Sequence, residues 1–442
     1  MRLADLFTDA KVTLRLATPL IAGQLSQMLM GVVDTAMIGR LGTTPLAAAA
    51  LVTNLSHVPL VFGIGLLTAI SVRVSQARGA AHPERARAAL RHGMWLALLL
   101  GISTLLGASV LLPQLGNFRQ APAVVAITPP LLEWIALSMV PAFLGIAVKN
   151  HADAMDHPWP PFWITLGGVF LNVVLNWLLI YGNAGFPTLG LAGAGIATCI
   201  ARVAVFVGLV AWCRSSRDLR DWIPAHWLRR PSWRPFASLA RLGLPSAMQM
   251  LAEVSAFVAA GFLVGTLGGE PLAAHQVALV CAASVFMIPL GLSMAVTVRT
   301  GAARGAGDRS GPRRILGGAL LVAALFTLPT FGVIAGGRHV IAGWFITDSA
   351  TLELAAGLLL ISAVFQASDA VQVISMGALR GLEDVQFPAR AAFAAHWLIG
   401  LPLGWWLAFR QGTGVQGIWW GLTIGLTVCA VLFARRFWRK SG

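Results

Sequence analysis

"LGTTPLAAAALVTNLSHVPLVFGIGLLTAISVRVSQARG", residues 41–79, aligns without a gap to "LGGEPLAAHQVALVCAASVFMIPLGLSMAVTVRTGAARG", residues 267–305. Fourteen of the 39 paired positions are identical, at a constant offset of 226. A self-match held in one register over that length marks an internal duplication. Each copy is long, apolar and almost free of charge until its Arg-containing end, which is the pattern of a helix crossing a bilayer.

The whole chain extends this pattern. Its 442 residues are 57% hydrophobic and only 11% charged, with a mean hydropathy of +0.76. Soluble domains carry about 25% charged residues, so a multi-spanning membrane protein is expected. Apolar runs give twelve spans, at 14–39, 46–70, 90–113, 124–148, 162–182, 190–213, 236–267, 272–298, 315–337, 351–378, 386–409 and 415–434. Six spans separate equivalent positions of the duplication, so both halves run in the same direction. The predicted fold is an all-α integral membrane protein of twelve transmembrane helices in two pseudo-symmetric six-helix lobes, a parallel repeat. Residues 1–213 form the first lobe, 214–235 a connector and 236–442 the second lobe.

The net charge of +15 raises the question of a nucleic-acid partner, and the placement of the charges answers it. Loops after even-numbered spans hold Arg78, Arg85, Arg87 and Arg91, then Lys149, Arg214 to Arg241, Arg304 to Arg314, and Arg380 with Arg390. Loops after odd-numbered spans hold only Arg40, Arg119, Arg338 and Arg410. By the positive-inside rule the even loops and both termini are cytoplasmic, and the basic excess reflects topology and inner-leaflet attraction. No cleaved signal peptide is expected at the amino terminus. The connector "RSSRDLRDWIPAHWLRRPSWRPF" (214–236) fits either a short interfacial amphipathic helix or a solvated linker.

Most acidic residues sit in loops or toward span ends; Asp34, Glu253 and Asp369 stand inside apolar spans. A charge at the centre of a bilayer helix costs roughly 2.5–3.5 kcal/mol on insertion scales, so such residues face a bundle interior or a water-filled path. The offset of 226 carries Asp34 onto Ala260 and Glu253 back onto Gln27. The halves therefore share a scaffold but not a site, with one carboxylate in the first and a pair in the second. Asn172 and Asn176 are four apart and share a helix face, and Thr198 lies on the next span. With Asp34 they are oxygen donors suited to a hard cation or to a hydrogen-bonded carboxyl that exchanges a proton. Asparagines at this spacing also serve as interhelical glue. Arg202, one turn after Thr198, either pairs with a buried carboxylate or faces a water-filled cavity. The four cysteines, Cys199, Cys213, Cys281 and Cys429, lack metal or disulfide spacing. The absence of a "GxxxxGK[ST]" string argues against direct use of ATP, and no cluster points to catalysis.

Four stretches together carry a family resemblance: "VVDTAMIGRLGTTPLAAAAL", "EPLAAHQVAL", "RTGAARGAGD" and "DAVQVISMGALRGLEDVQFP". In order and placement they resemble the multidrug and toxic compound extrusion (MATE) transporters, in their NorM-like bacterial branch. The resemblance implies a V-shaped molecule with a central cleft between two lobes. It implies a monomer of the bacterial inner membrane that exports small organic cations in exchange for sodium or protons, with no cofactor. It assigns the first-lobe cation-coupling residues to Asp34, Asn172, Asn176 and Thr198, and the second-lobe site, a candidate sodium site, to Glu253 and Asp369. This chain departs from the family pattern in carrying Phe365 where a tyrosine is common, and in the position of Arg202. Both are candidate modulators of the coupling ion. A flippase of lipid-linked oligosaccharide or another amphiphile is the alternative within the same architecture.

Overall fold

The computed structural model describes residues 3–441 except Leu228, with side chains from Leu6 onward. Twelve helices among these residues are long and apolar enough to cross a membrane. They are α1 Leu3–Gly39, α2 Thr43–Gly79, α3 Pro83–Leu111, α4 Pro122–Ala154, α5 Trp159–Tyr181 and α6 Gly190–Ser215. The second set is α7 Trp233–Gly265, α8 Gly269–Gly305, α9 Gly311–Gly343, α10 Ser349–Gly381, α11 Gln386–Arg410 and α12 Gly414–Lys440. Every span read from the sequence lies on one of these helices to within two residues. Several run past the apolar stretch: at 37 residues, α2 is about 55 Å long, against a hydrocarbon core of about 30 Å.

The duplication is visible residue by residue. Both ends of α2 and α8 are offset by 226, and each helix is entered through a glycine with φ of 114° (Gly42) and 126° (Gly268). That backbone is open to glycine and costly for any residue with a Cβ. The turn after α4 places Asp156 at φ 69°, and the turn after α10 places Glu383 at φ 58°. Arg78 pairs with Asp156 at 3.0 Å, and its counterpart Arg304 pairs with Glu383 at 3.7 Å.

The chain forms two compact units, residues 22–247 and residues 1–21 with 248–442. In the first, α4 packs against α2, α3 and α6, and α5 lies on α6. In the second, α10 packs against α8, α9 and α12, around a core that includes Leu358, Leu359, Phe365, Trp419 and Leu422. The units are cut inside α1 and α7 rather than at 213 and 236, and close glycine contacts give the reason. A Cβ on Gly65 of α2 would stand 2.6 Å from Ala247 Cα, and one on Gly291 of α8 would stand 2.9 Å from the Ile21 nitrogen. The early turns of α7 thus pack on α2, and those of α1 on α8. Gly65 and Gly291, like Ala247 and Ile21, are 226 apart. Arg299 of α8 reinforces the second contact by pairing with Asp9 at 2.5 Å and bonding Thr13.

The connector corrects one of the two sequence readings. Between α6 and α7 the described residues hold only a single 3-10 turn, Arg220–Trp222, so no interfacial amphipathic helix forms. Prolines at 224, 231 and 235 break helical continuity. The segment is also not a free linker, because Leu219 is fully buried. Arg87 Nε donates to the Asp221 carbonyl and Trp95 Nε1 to the Arg229 carbonyl, fastening it to α3.

The helix α11, a single apolar span in the sequence, is not a regular α-helix. Two π turns, Ala394–Gly400 and Trp406–Arg410, flank its middle. Pro402 lies between them and has no N–H for the Leu398 carbonyl, so the regular ladder cannot run through. Gly400 and Gly404 meet Gly417, Gly421 and Gly425 of α12, where a Cβ on Gly421 would lie 2.3 Å from Gly404 Cα.

Candidate functional site

Unit 22–247 gathers all four first-lobe residues into one hydrogen-bonded chain. Asn176 Nδ2 of α5 donates to Asp34 Oδ1 of α1 at 2.6 Å and to Asn172 Oδ1 at 3.2 Å. Asn172 Nδ2 donates to Thr198 Oγ1 of α6 at 3.4 Å, and Thr198 donates to the Ala194 carbonyl. Both asparagines are fully buried, while Asp34 is half-buried. Asn176 Oδ1 is buried without a partner, which leaves an unused oxygen lone pair beside the carboxylate. One turn beyond Asp34, Tyr181 donates its hydroxyl to the Met37 carbonyl at 2.7 Å and ties α5 to α1.

Arg202 forms no ion pair with a buried carboxylate among the described residues. Its Nη1 donates to Ser138 Oγ of α4 at 2.7 Å, with Met139 Sδ at 3.6 Å. It acts on the Asp34 charge through space only. Ser138 draws the guanidinium toward α4, so Asp34 keeps its carboxylate oxygens for Asn176 and for solvent.

In the other unit, Glu253 of α7 is held by two amides. Gln372 Nε2 of α10 donates to Glu253 Oε1 at 2.6 Å, and Gln249 Nε2, one turn back on α7, donates to the same oxygen at 3.1 Å. Asp369 lies on α10 three residues before Gln372 and is electrostatically coupled to Glu253. It makes no hydrogen bond among the described residues. Glu253 and Asp369 are thus neighbouring charges bridged by no shared hydrogen, and both are half-buried.

Phe365, one turn before Asp369, is a packing residue. It stands edge-on to Phe257 and to Trp419, each at 5.9 Å between ring centroids. Trp419 donates to His275 Nδ1 at 3.1 Å. Sequence reasoning missed Gln249 and Gln372. The glutamines stand four before Glu253 and three after Asp369, so helical spacing could have found them.

The arrangement is two carboxylate centres, each inside a membrane helix and each held by amide donors of its own unit. Comparison with known proteins agrees with that division. The MatE family model matches residues 19–178 and 245–406, once in each half. The chain belongs to the MatE family. Two relatives of this MatE chain cover it almost end to end. A probable multidrug resistance protein NorM of Bradyrhizobium diazoefficiens is 39% identical over 98% of this chain and 94% of its own length. The multidrug resistance protein NorM of Burkholderia vietnamiensis is 36% identical over 97% of this chain and 94% of its own. The chain is a NorM-like member of the family, a multi-pass membrane transporter. Solved MATE structures share its fold: Vibrio cholerae VcmN superposes with a TM-score of 0.89 at 20% identity, over 99% of this chain and 98% of that one. An outward-facing multidrug resistance MATE transporter superposes at 0.88 and 20% identity, over 98% and 96%.

Proposed function

We propose that this chain is a secondary antiporter that exports small organic cations by alternating access in exchange for sodium or protons, with both termini cytoplasmic. One observation carries the reading. Asp34, Glu253 and Asp369 are intramembrane carboxylates, and no Lys or Arg bonds to any of them among the described residues. A carboxylate neutralised by a fixed basic partner has little charge left for a mobile one. These three are oriented by amides or left unbonded, so their charge is available to a sodium ion, a proton or a cationic drug in turn. The relatives named multidrug resistance proteins support a drug-like cargo.

Competition supplies the coupling. Two cations that need the same carboxylates, and that favour different conformations, displace one another across the membrane. The reading is tested in everted membrane vesicles with ethidium added outside, by imposing first a sodium gradient and then a proton gradient. One gradient is expected to drive ethidium transport, and Glu253→Gln with Asp369→Asn is expected to abolish it. Undiminished transport by the folded double variant overturns the assignment.

A further inference from the structure

His396 is a buried polar group in the same unit as Glu253 that the proposed function leaves unused. It sits on the π turn Ala394–Gly400 of α11 and is 1% exposed. Neither of its ring nitrogens has a hydrogen-bond partner. A neutral imidazole carries one donor and one acceptor, and burial with both unmet is rare unless water or a ligand serves them.

Two contacts fix His396 against the turn of α7 that bears Glu253. The next residue, Trp397, donates Nε1 to the Ala252 carbonyl at 3.0 Å, directly beside Glu253 in the chain. The His396 ring lies 6.4 Å from that of Phe257, one turn after Glu253. The two groups also feel one another electrostatically. The π turn is what aims the imidazole here, and α5, the corresponding helix of the other half, is uninterrupted from Trp159 to Tyr181. Such turns recur at functional positions because they re-aim a side chain at a cost in helix geometry. The charged and titratable groups on the elements around it include Glu253 on α7, Asp369 and the buried Arg380 on α10, the latter interacting electrostatically with Glu253, and His275 on α8, engaged by Trp419. The facing stretch of α12, residues 417–429, has no ionisable group besides Cys429.

We propose that His396 relays protons, through buried water, to and from the Glu253 carboxylate. A proton accepted on one ring nitrogen is matched by the proton released from the other. The ring stays neutral overall and emerges as the opposite tautomer, which reverse transfer or a ring turn resets. An imidazole whose two nitrogens are both free of protein partners is suited to this, because neither is committed to a fixed bond. The inference rests on the reading of Glu253 as a coupling carboxylate.

The test uses the full chain purified and reconstituted in liposomes, with ethidium as cargo. His396→Phe keeps a ring without nitrogens; His396→Gln keeps a donor and an acceptor but does not exchange protons. Under an imposed pH gradient both variants are expected to slow transport by about tenfold or more, below the usual range for a lost proton-transfer group. Ethidium binding is expected to be unchanged, and the wild type is expected to run slower in D2O. Wild-type rates in either variant, recovery in His396→Gln, or no isotope effect in the wild type overturns the relay. If His396→Phe is not monodisperse, the glutamine variant and the isotope effect decide. Glu253→Gln separates the two ideas. If it transports as wild type, the reading of Glu253 fails; if it is dead while the His396 variants are fully active, only the relay fails.

Discussion

Asn176 Nδ2 stands 2.6 Å from Asp34 Oδ1, joining two helices whose bonded residues are 142 apart in the chain. Asn176 also bonds Asn172, so one amide holds the first-unit site together. Replacing it with leucine removes both bonds and leaves Asp34 without its donor. Asn176→Leu is expected to lower stability by about 1–2 kcal/mol, in the range for interhelical polar bonds within membranes. A thermal-shift measurement in detergent, beside ethidium efflux, checks it. Unchanged melting would mean that the bond contributes nothing to packing.

Gln372 plays the corresponding part for Glu253, with a shorter bond than Gln249 makes. A hydrogen bond to a charged group contributes about 1.5–3 kcal/mol, so Gln372→Leu is expected to destabilise more than Gln249→Leu and to reduce efflux further. Efflux rates and melting curves of the two variants side by side give the order, and the reverse order would contradict it.

The glycines of α11 and α12 have opposite expectations from those of α1. A Cβ on Gly421 would press on Gly404 Cα at 2.3 Å, whereas one on Gly31, a turn before Asp34, meets nothing within 4 Å. Gly421→Ala is expected to cost about 1–3 kcal/mol by overpacking. Gly31→Ala is expected to be neutral or stabilising by up to about 1 kcal/mol, through helix propensity. Yield of monodisperse protein and melting temperature separate them.

Arg299 is the anchor of the first turns of α1. It and Asp9 are each largely buried, at 15% and 17% side-chain exposure. Breaking such a pair from one side costs about 3–5 kcal/mol, so Arg299→Met is expected to lower the melting temperature strongly. Protease susceptibility near residue 15 reports whether the early turns of α1 have come loose.

A pH effect is expected outside the membrane spans. Asp348 caps α10, accepting from the Thr351 nitrogen at 2.9 Å and from the Thr351 hydroxyl at 2.8 Å. The backbone bond from Thr351, with the hydroxyl behind it, holds this carboxyl below its ordinary value of 3.8. The folded carboxyl therefore titrates below the unfolded one. Its contribution is complete above the unfolded value and disappears as the pH falls through the folded one. Asp348→Ala is expected to melt below the wild type at neutral pH, with the gap closing under acid. A gap that is constant with pH would exclude the charged cap.

The number of helices and the repeat were legible because each rests on local sequence. Apolar length marks a span, and a constant offset marks a duplication. The pair Asn172 and Asn176 was legible because residues four apart share a face. The bonds that complete each centre were less so. Gln249 and Gln372 sit at the right spacing, yet spacing alone does not say that two helices distant in the chain bring both amides to one oxygen.

The sequence by itself determined a twelve-helix duplicated membrane protein with three intramembrane carboxylates, because bilayer solvation acts on every residue of a span independently of its neighbours in space. Tertiary structure alone decided that Arg202 turns to Ser138 instead of Asp34, that the connector docks on α3, and that a π turn brings His396 beside the Glu253 turn. Those outcomes depend on which surfaces meet. Hydrogen bonds a few ångströms long are fixed by the packing of helices far apart in the chain, which no local pattern specifies.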